Sequence, residues 1–421
     1  MSGVRLGVGW QSPATMHRLA FAAIFAVSMV YAGLVAIFSA DMVHRLWGTM
    51  ATCGYLLALV VVLAWRKPRG TDLAIALSFA GGLVVPLAWM AAHAIEQPEV
   101  WVVIQSGKSL LHHGTPYAPA AVLDSTTNPN AYNPYLPLMA LFGLPNAIFG
   151  SGVLTDPRIW FGVVFLAAFW LALRRGGARD PARWTMLLAG SPVIALELAI
   201  GGTDVPLVAF LCLGFAYLWQ PHPVLAGLAL GIGSGMKDTA WPAAVVALAL
   251  LAAKDGKRAA GAFALTALAV VAVCVGPFAT DPKSLLDNTI LFPLGLAHVT
   301  SEAVSPLPGH LIAQTGHLGH TIVVAALVAV GLAVAVSLVF RPPRTVPRAV
   351  ILLGAALTLM FLLAPSTRFG YFIYPETLAV WLVATVAGRS GQDTCFTPDP
   401  GAPPANGRTR WRTSFASRPA A

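Results

Sequence analysis

Residues 73–95, LAIALSFAGGLVVPLAWMAAHAI, carry no charged side chain, and at residue 96 they give way to EQPEVWVVIQSGKSLLHHGTPYAPAAVLDSTTNPNAYNPYLP, residues 96–137. The first stretch has the length and apolarity of a helix that crosses a bilayer, which takes ~20 residues. The second is the one long polar interruption in the first half of the chain. It gathers two glutamates, two adjacent histidines, a lysine and three tyrosines. Together they set the reading of the whole: membrane helices, with the chemistry collected between them.

The alternation continues outward. Apolar runs recur at 19–39, 56–65, 159–173, 205–219, 263–278, 322–340, 350–363 and 371–387. Of the 421 residues 57% are hydrophobic and only 10% charged, with mean hydropathy +0.73, against the ~25% charged of ordinary soluble domains. A soluble fold is excluded. The expectation is an all-α, polytopic transmembrane bundle of about 11–13 spans over residues 1–388, with loops at about 96–133 and 280–318 carrying surface helices. The Pro/Gly/Arg-rich tail, 389–421, has the composition of a disordered segment.

The net charge of +9 does not point to nucleic acid, because the basic residues fall in short clusters between spans and not on one soluble face. They report topology. Placing Arg5 and Arg18, Arg66/Lys67/Arg69, Arg174/Arg175/Arg179/Arg183, Lys254/Lys257/Arg258, Arg341/Arg344/Arg348 and the tail in the cytoplasm puts all but six of the 26 Lys and Arg inside. The expected location is the plasma membrane, multi-pass, both termini cytoplasmic, the first span a retained signal anchor. One piece resists parity. Residues 134–152, broken by Pro137 and Pro145, are either re-entrant or force the Arg174–Arg183 loop to break the rule. Cys53, Cys212, Cys274 and Cys395 show no CxxC spacing and suggest neither disulfides nor a metal knuckle.

With this orientation the unusual polar residues share the outer face. Glu96 and Glu99, spaced to share a helical face, either end a span at the headgroups or, since VWVVI follows, hold Glu99 at a partly desolvated interface where it suits a general base. Residues 100–113 read as an amphipathic surface helix. His112 and His113, adjacent on it, diverge by about 100° and cannot chelate together, so no metal site is assigned. Lys237 closes a glycine-rich span (Gly227, Gly231, Gly233, Gly235) whose glycines suit close helix packing. An ionisable group between apolar spans is a functional candidate; the alternative is an ion pair with Asp238 or Asp204. Asp204, in the Gly201-Gly202-Thr203-Asp204 turn, either caps the next helix or lines a site. Arg368, in APSTRFGYFIYPE, offers a fork that fits phosphate oxygens, with Tyr371, Tyr374 and Glu376 close behind. The tyrosines serve equally as interfacial belt residues. In the late loop His298, Glu302, His310, His317 and His320 lack tight ligand spacing; His310 is assigned to substrate contact.

Taken together, these residues resemble the polytopic GT-C glycosyltransferases, and most closely glycosyltransferase family 87. The resemblance covers roughly residues 96–375. It runs through Glu99 and Leu110-Leu111-His112-His113-Gly114-Thr115-Pro116-Tyr117, then Tyr132-Asn133-Pro134 as a Tyr-Pro-Pro-like entry. The Gly201–Asp204 turn and Lys237-Asp238-Thr239-Ala240-Trp241-Pro242 follow. Three departures stand out: Glu99 where the family acid is usually Asp, Gly202 where the turn has Gln, and Asn133 in the Tyr-Pro-Pro entry.

The resemblance implies sugar transfer, of mannose or another hexose or pentose, from a polyprenyl-phosphate donor to a lipid or glycan acceptor at the outer face. It implies Glu99 as base, with Asp124 and Asp204 as weaker substitutes. Lys237 and Arg368 are the phosphate binders, and Asp204, Tyr117, Tyr132 and His310 complete the substrate contacts. Membrane lipid is the other expected partner and nucleic acid is not one. No cofactor is assigned, and whether a divalent metal takes part is left open. The rival readings are a transporter or flippase of lipid-linked intermediates, which would spread polar residues along a path and show paired repeats, and an inactive membrane scaffold.

Overall fold

Proline and aspartate mark where the helices begin. The computed structural model describes residues 13–293, 296–299 and 303–393. It contains α1 (Pro13–Phe38), α2 (Met42–Ala64), α3 (Pro68–Ala92), α4 (Pro98–His113) and the short apolar α5 (Pro137–Phe149). Next come α6 (Pro157–Gly176), α7 (Pro181–Ala189), α8 (Pro192–Ile200), α9 (Asp204–Trp219), α10 (Pro223–Met236) and α11 (Trp241–Lys254). The last four are α12 (Lys257–Val275), α13 (His317–Phe340), α14 (Val346–Leu363) and α15 (Ile373–Asp393). Proline occupies the first turn of α3, α4, α6, α7, α8 and α10, where its missing N–H costs nothing. The Asp41 carboxylate accepts from Val43 N at 2.8 Å and that of Asp156 from Arg158 N at 2.9 Å, capping α2 and α6.

The all-α polytopic architecture stands, with a different distribution of spans. Eight helices among the described residues are long and apolar enough to cross a membrane on their own, or nine if α7 and α8, bent by 67°, count as one. The expected number is about 11–13. Several runs are instead broken or short: α5 by its prolines, α7/α8 at Gly190-Ser191-Pro192, and α9 and α10 by length. The parity conflict at 134–152 falls on α5, which is too short to span and packs against α4 and α6. At the C-terminal end α15 continues to Asp393, five residues into the segment expected to be disordered. Arg5, Glu302, Cys395 and the rest of that tail lie outside the described residues.

α9 is apolar all round and buried along nearly its whole length between α6, α10 and α15, as a helix without a polar face must be. Its neighbour α10 docks on α12 through glycines. A Cβ on Gly227 would stand 2.6 Å from Phe263 O, and one on Gly231 2.9 Å from Val270 Cβ, so the two backbones approach only because these side chains are absent. The packing role read from the glycine spacing is the one observed.

The bundle has two chemically distinct ends. At one, Gln220 Nε2 donates to Arg175 O (3.2 Å), Lys254 Nζ to Leu218 O (3.3 Å) and Arg389 Nε to Gly176 O (2.7 Å). This joins three basic clusters. At the other lie the Gly201–Asp204 turn, Lys237, the start of α4 and the α14–α15 connection. α9 and α10, with 16 and 14 residues, rise about 24 and 21 Å, less than the ~30 Å of a hydrocarbon core. They meet at the basic end, where Trp219 and Pro223 lie, so their other ends, at Asp204 and Met236, fall at the floor of a recess.

Candidate functional site

The recess is built where four chain turns meet, and a fully buried arginine holds two of them. Arg158, in the first turn of α6, donates through Nη1 to Ile95 O (2.7 Å) and Ala199 O (2.8 Å). Its Nε and Nη2 engage the Asp156 carboxylate at 2.7–3.2 Å. The α3–α4 connection and the end of α8 are thereby tied together, and Gln97 N donates to Ile200 O at 2.9 Å beside them. Glu96 turns to the same arginine, Oε2 lying 3.5 Å from Nη2. Burial pushes its carboxyl above the usual range while Arg158 pulls the other way. The expectation that Glu96 and Glu99 share a helical face therefore fails: the helix opens at Pro98, so Glu96 precedes it and faces the clamp, while Glu99 faces the recess.

Glu99 Oε1 forms an ion pair with Arg368 Nη1. Its second oxygen is buried with no hydrogen-bond partner among the described residues. Arg368 is fixed by its neighbours. Thr367 N donates to Ala303 O (3.0 Å), Ser305 N to Thr367 O (2.9 Å), and Phe369 N to Ser305 Oγ (3.1 Å), forming an isolated parallel bridge between Val304 and Thr367. Burial opposes the charge of Arg368, but Glu99 and the phenols of Tyr371 and Tyr135 outweigh it and hold its pKa above the ordinary value.

Lys237, just past the end of α10, donates to both Asp204 oxygens at 2.9 Å, and Tyr374 Oη donates to Asp204 Oδ1 at 2.5 Å. Thr239 Oγ1 in turn lies 2.5 Å from Tyr374 Oη. The ammonium faces the rings of Tyr371 (5.2 Å) and Tyr135 (5.7 Å). Burial works against its charge, yet the Asp204 carboxylate prevails and its pKa is raised, so Lys237 stays cationic. Thr203 makes no side-chain cap to α9, and Asp204 is engaged by Lys237 and Tyr374. Of the two readings of the turn, capping and site lining, the second describes what is seen.

Glu99, Asp204, Lys237, Arg368 and Tyr132 line one cavity of about 280 Å³, near the lower end of the ~300–1,000 Å³ usual for small-molecule sites. Among the described residues no group of three or more His, Cys, Asp or Glu is arranged to hold a metal ion. Tyr117, His310 and Asp124 are not among the residues lining this cavity. The Tyr117 hydroxyl donates to Tyr135 O at 3.0 Å, and both ring nitrogens of His310 are engaged, Nδ1 with Pro365 O (2.7 Å) and Nε2 with Gln314 (2.8 Å). Asp124 accepts from Lys283 at 3.0 Å on the exposed surface.

Several lining groups were not singled out from sequence. Glu197, in the middle of PVIALELAI on α8, reaches the cavity together with Tyr135, and Asp238, named from sequence only as a possible partner of Lys237, lines it too. The signal was there: a lone carboxylate in an apolar helix. Its carboxylate also accounts for Gly202, since a Cβ at that position would meet Glu197 Oε2 at 2.6 Å, and one at Gly370 would meet the same carboxylate. A glutamine at 202 has no room while Glu197 stands there. Asn133 has a comparable logic. Its N–H, which proline lacks, donates to Asn288 Oδ1 (2.7 Å), its Nδ2 to Pro116 O (3.1 Å), and its Oδ1 accepts from Tyr135 N (3.1 Å). It cross-links three segments around Tyr135.

Searches of curated proteins and of solved structures returned no match. The family model described as glycosyltransferase family 87 matches residues 133–365. Glu197, Asp204, Lys237 and Asp238 lie within that range, while Glu99 and Arg368 flank it. The match covers more than half of a chain already seen to be an all-α membrane bundle with a polar recess at one end: the protein belongs to glycosyltransferase family 87 and is a membrane glycosyltransferase.

Proposed function

We propose that the protein moves a sugar from a polyprenyl-phosphate donor to a lipid or glycan acceptor in the recess, on the outer side of the plasma membrane. The observation that carries this reading is the meeting of Glu99, Lys237 and Arg368, remote in sequence, around one cavity. Glu99 Oε2, which has no hydrogen-bond partner among the described residues, takes the acceptor hydroxyl proton. The acceptor oxygen attacks the anomeric carbon, the bond from that carbon to the phosphate oxygen breaks, and its electron pair leaves with the polyprenyl phosphate. Lys237 and Arg368 take up the charge that develops there. Protonation of Glu99 weakens its hold on Arg368, so the base's gain of a proton frees a cation for the leaving group. Basic clusters at the opposite end support the outward orientation.

α9, apolar from Val205 to Trp219 and buried, plugs the bundle between its two ends, which favours transfer over a transport path. The test is a transfer assay with the purified protein, radiolabelled polyprenyl-phosphate sugars and nucleotide sugars run in parallel, beside flux into liposomes. Product from the polyprenyl-phosphate donors alone is expected. Transfer only from nucleotide sugars, or flux without transfer, would refute the proposal.

A further inference from the structure

The basic end holds a second cavity, of about 490 Å³, walled by Arg18, Arg66, Lys67, Arg179 and Arg183. These come from three distant places in the chain: the start of α1, the α2–α3 connection, and the stretch that leads into α7. Topology alone requires basic residues on this side of the membrane; it does not require them to converge on one hollow. Two carboxylates stand near. Asp72 lies 3.5 Å from Arg183 Nη1, and Asp180 caps α7 by accepting from Arg183 N at 3.3 Å. Arg183 also lies over the Phe21 ring at 5.3 Å. Among the described residues Arg18, Arg66, Lys67 and Arg179 have no carboxylate within ion-pair distance. Arg18 Nε is buried without an acceptor among the described residues, a state that costs free energy unless an anion supplies one.

Asp180, which caps α7, and Thr71 also line the cavity, leaving five cationic side chains against one lining carboxylate; the other walls, Phe21, Pro68, Trp184 and Leu187, are apolar. One turn along α1 from Phe21, Ile24 is 44% exposed on the helix's outer surface. A cationic rim over apolar walls that continue onto a membrane-facing helix is complementary to an amphiphile. Inorganic phosphate would use the rim and none of the walls. We propose that this cavity binds an anionic phospholipid from the leaflet on the basic side. Its phosphodiester sits among Arg18, Arg66, Lys67 and Arg179, and its acyl chains lie along α1.

Binding of dioctanoyl phosphatidylglycerol to the full-length protein in detergent tests this by calorimetry, beside dioctanoyl phosphatidylcholine and inorganic phosphate. Arg66, Lys67 and Arg179 are exposed, so Arg66→Gln/Lys67→Gln and Arg179→Gln leave the packing intact. Phosphatidylglycerol should bind wild type, and the double variant should bind it about tenfold more weakly or worse. Arg344→Gln/Arg348→Gln, which removes the same charge outside the cavity, should bind as wild type does. Equal binding of phosphatidylcholine, saturation by inorganic phosphate at the same concentrations, or equal losses in both double variants would each overturn the proposal.

Discussion

At the scale of the residue, the side chains that matter are those whose partners come from far along the chain. Arg158 was visible in the sequence only as one of six basic residues outside the clusters, and nothing in its neighbourhood foretold that it binds Asp156 and two carbonyls while fully buried. Arg158→Met would leave the buried Asp156 charge without its partner, and removing one member of a buried pair costs about 3–5 kcal/mol. Thermal unfolding in detergent should show this as a clear loss of stability, whereas a melting profile equal to wild type would mean that the clamp is dispensable. Glu99, Asp204, Lys237 and Arg368 were legible because charge beside apolar runs stands out. Glu197 is equally visible as charge, but inside an apolar run nothing in the sequence says which way it faces. Tyr117 and His310, expected at the substrate, hold backbone carbonyls in place, and no local pattern separates such a tyrosine or histidine from one that lines a cavity.

At the scale of the element, periodicity and composition identified the helices, and their lengths explain why the span count came out lower. An apolar run records burial, and burial inside a bundle looks the same in sequence as burial in lipid. α9 is buried by protein on every side, so its apolarity says nothing of length. The glycine stripe of α10 was read correctly because its spacing is a local property. Gly231→Leu should force α10 from α12, against Val270 and Ala267, and since Lys237 follows directly on α10, transfer should fall along with stability. Gly261→Leu, at a position on α12 where a Cβ meets nothing within 4 Å, should leave both near wild type. If the two variants behave alike in melting and activity, close packing of α10 is not what seats Lys237.

At the scale of the whole molecule, the separation of a basic end from a polar recess was the strongest thing the sequence offered, since charge clusters need no fold to be counted. With the basic end inside, His113→Cys in a cysteine-free background should react with a membrane-impermeant maleimide on intact cells, and Lys257→Cys only after permeabilisation. The reverse pattern would invert the orientation and put the recess on the cytoplasmic side. The ion pair of Lys237 with Asp204 is one of the two pairings the sequence offers for that lysine; what the sequence could not supply was Glu99 with Arg368 and Tyr374 on Asp204, because those contacts depend on how four turns converge. The central claim is that Glu99 acts as base in that recess, and it is tested most directly by the turnover of Glu99→Gln at saturating polyprenyl-phosphate donor. A general base contributes about 10²–10⁴-fold. The account predicts a loss of kcat of that order with melting temperature retained; kcat within a few-fold of wild type would contradict it.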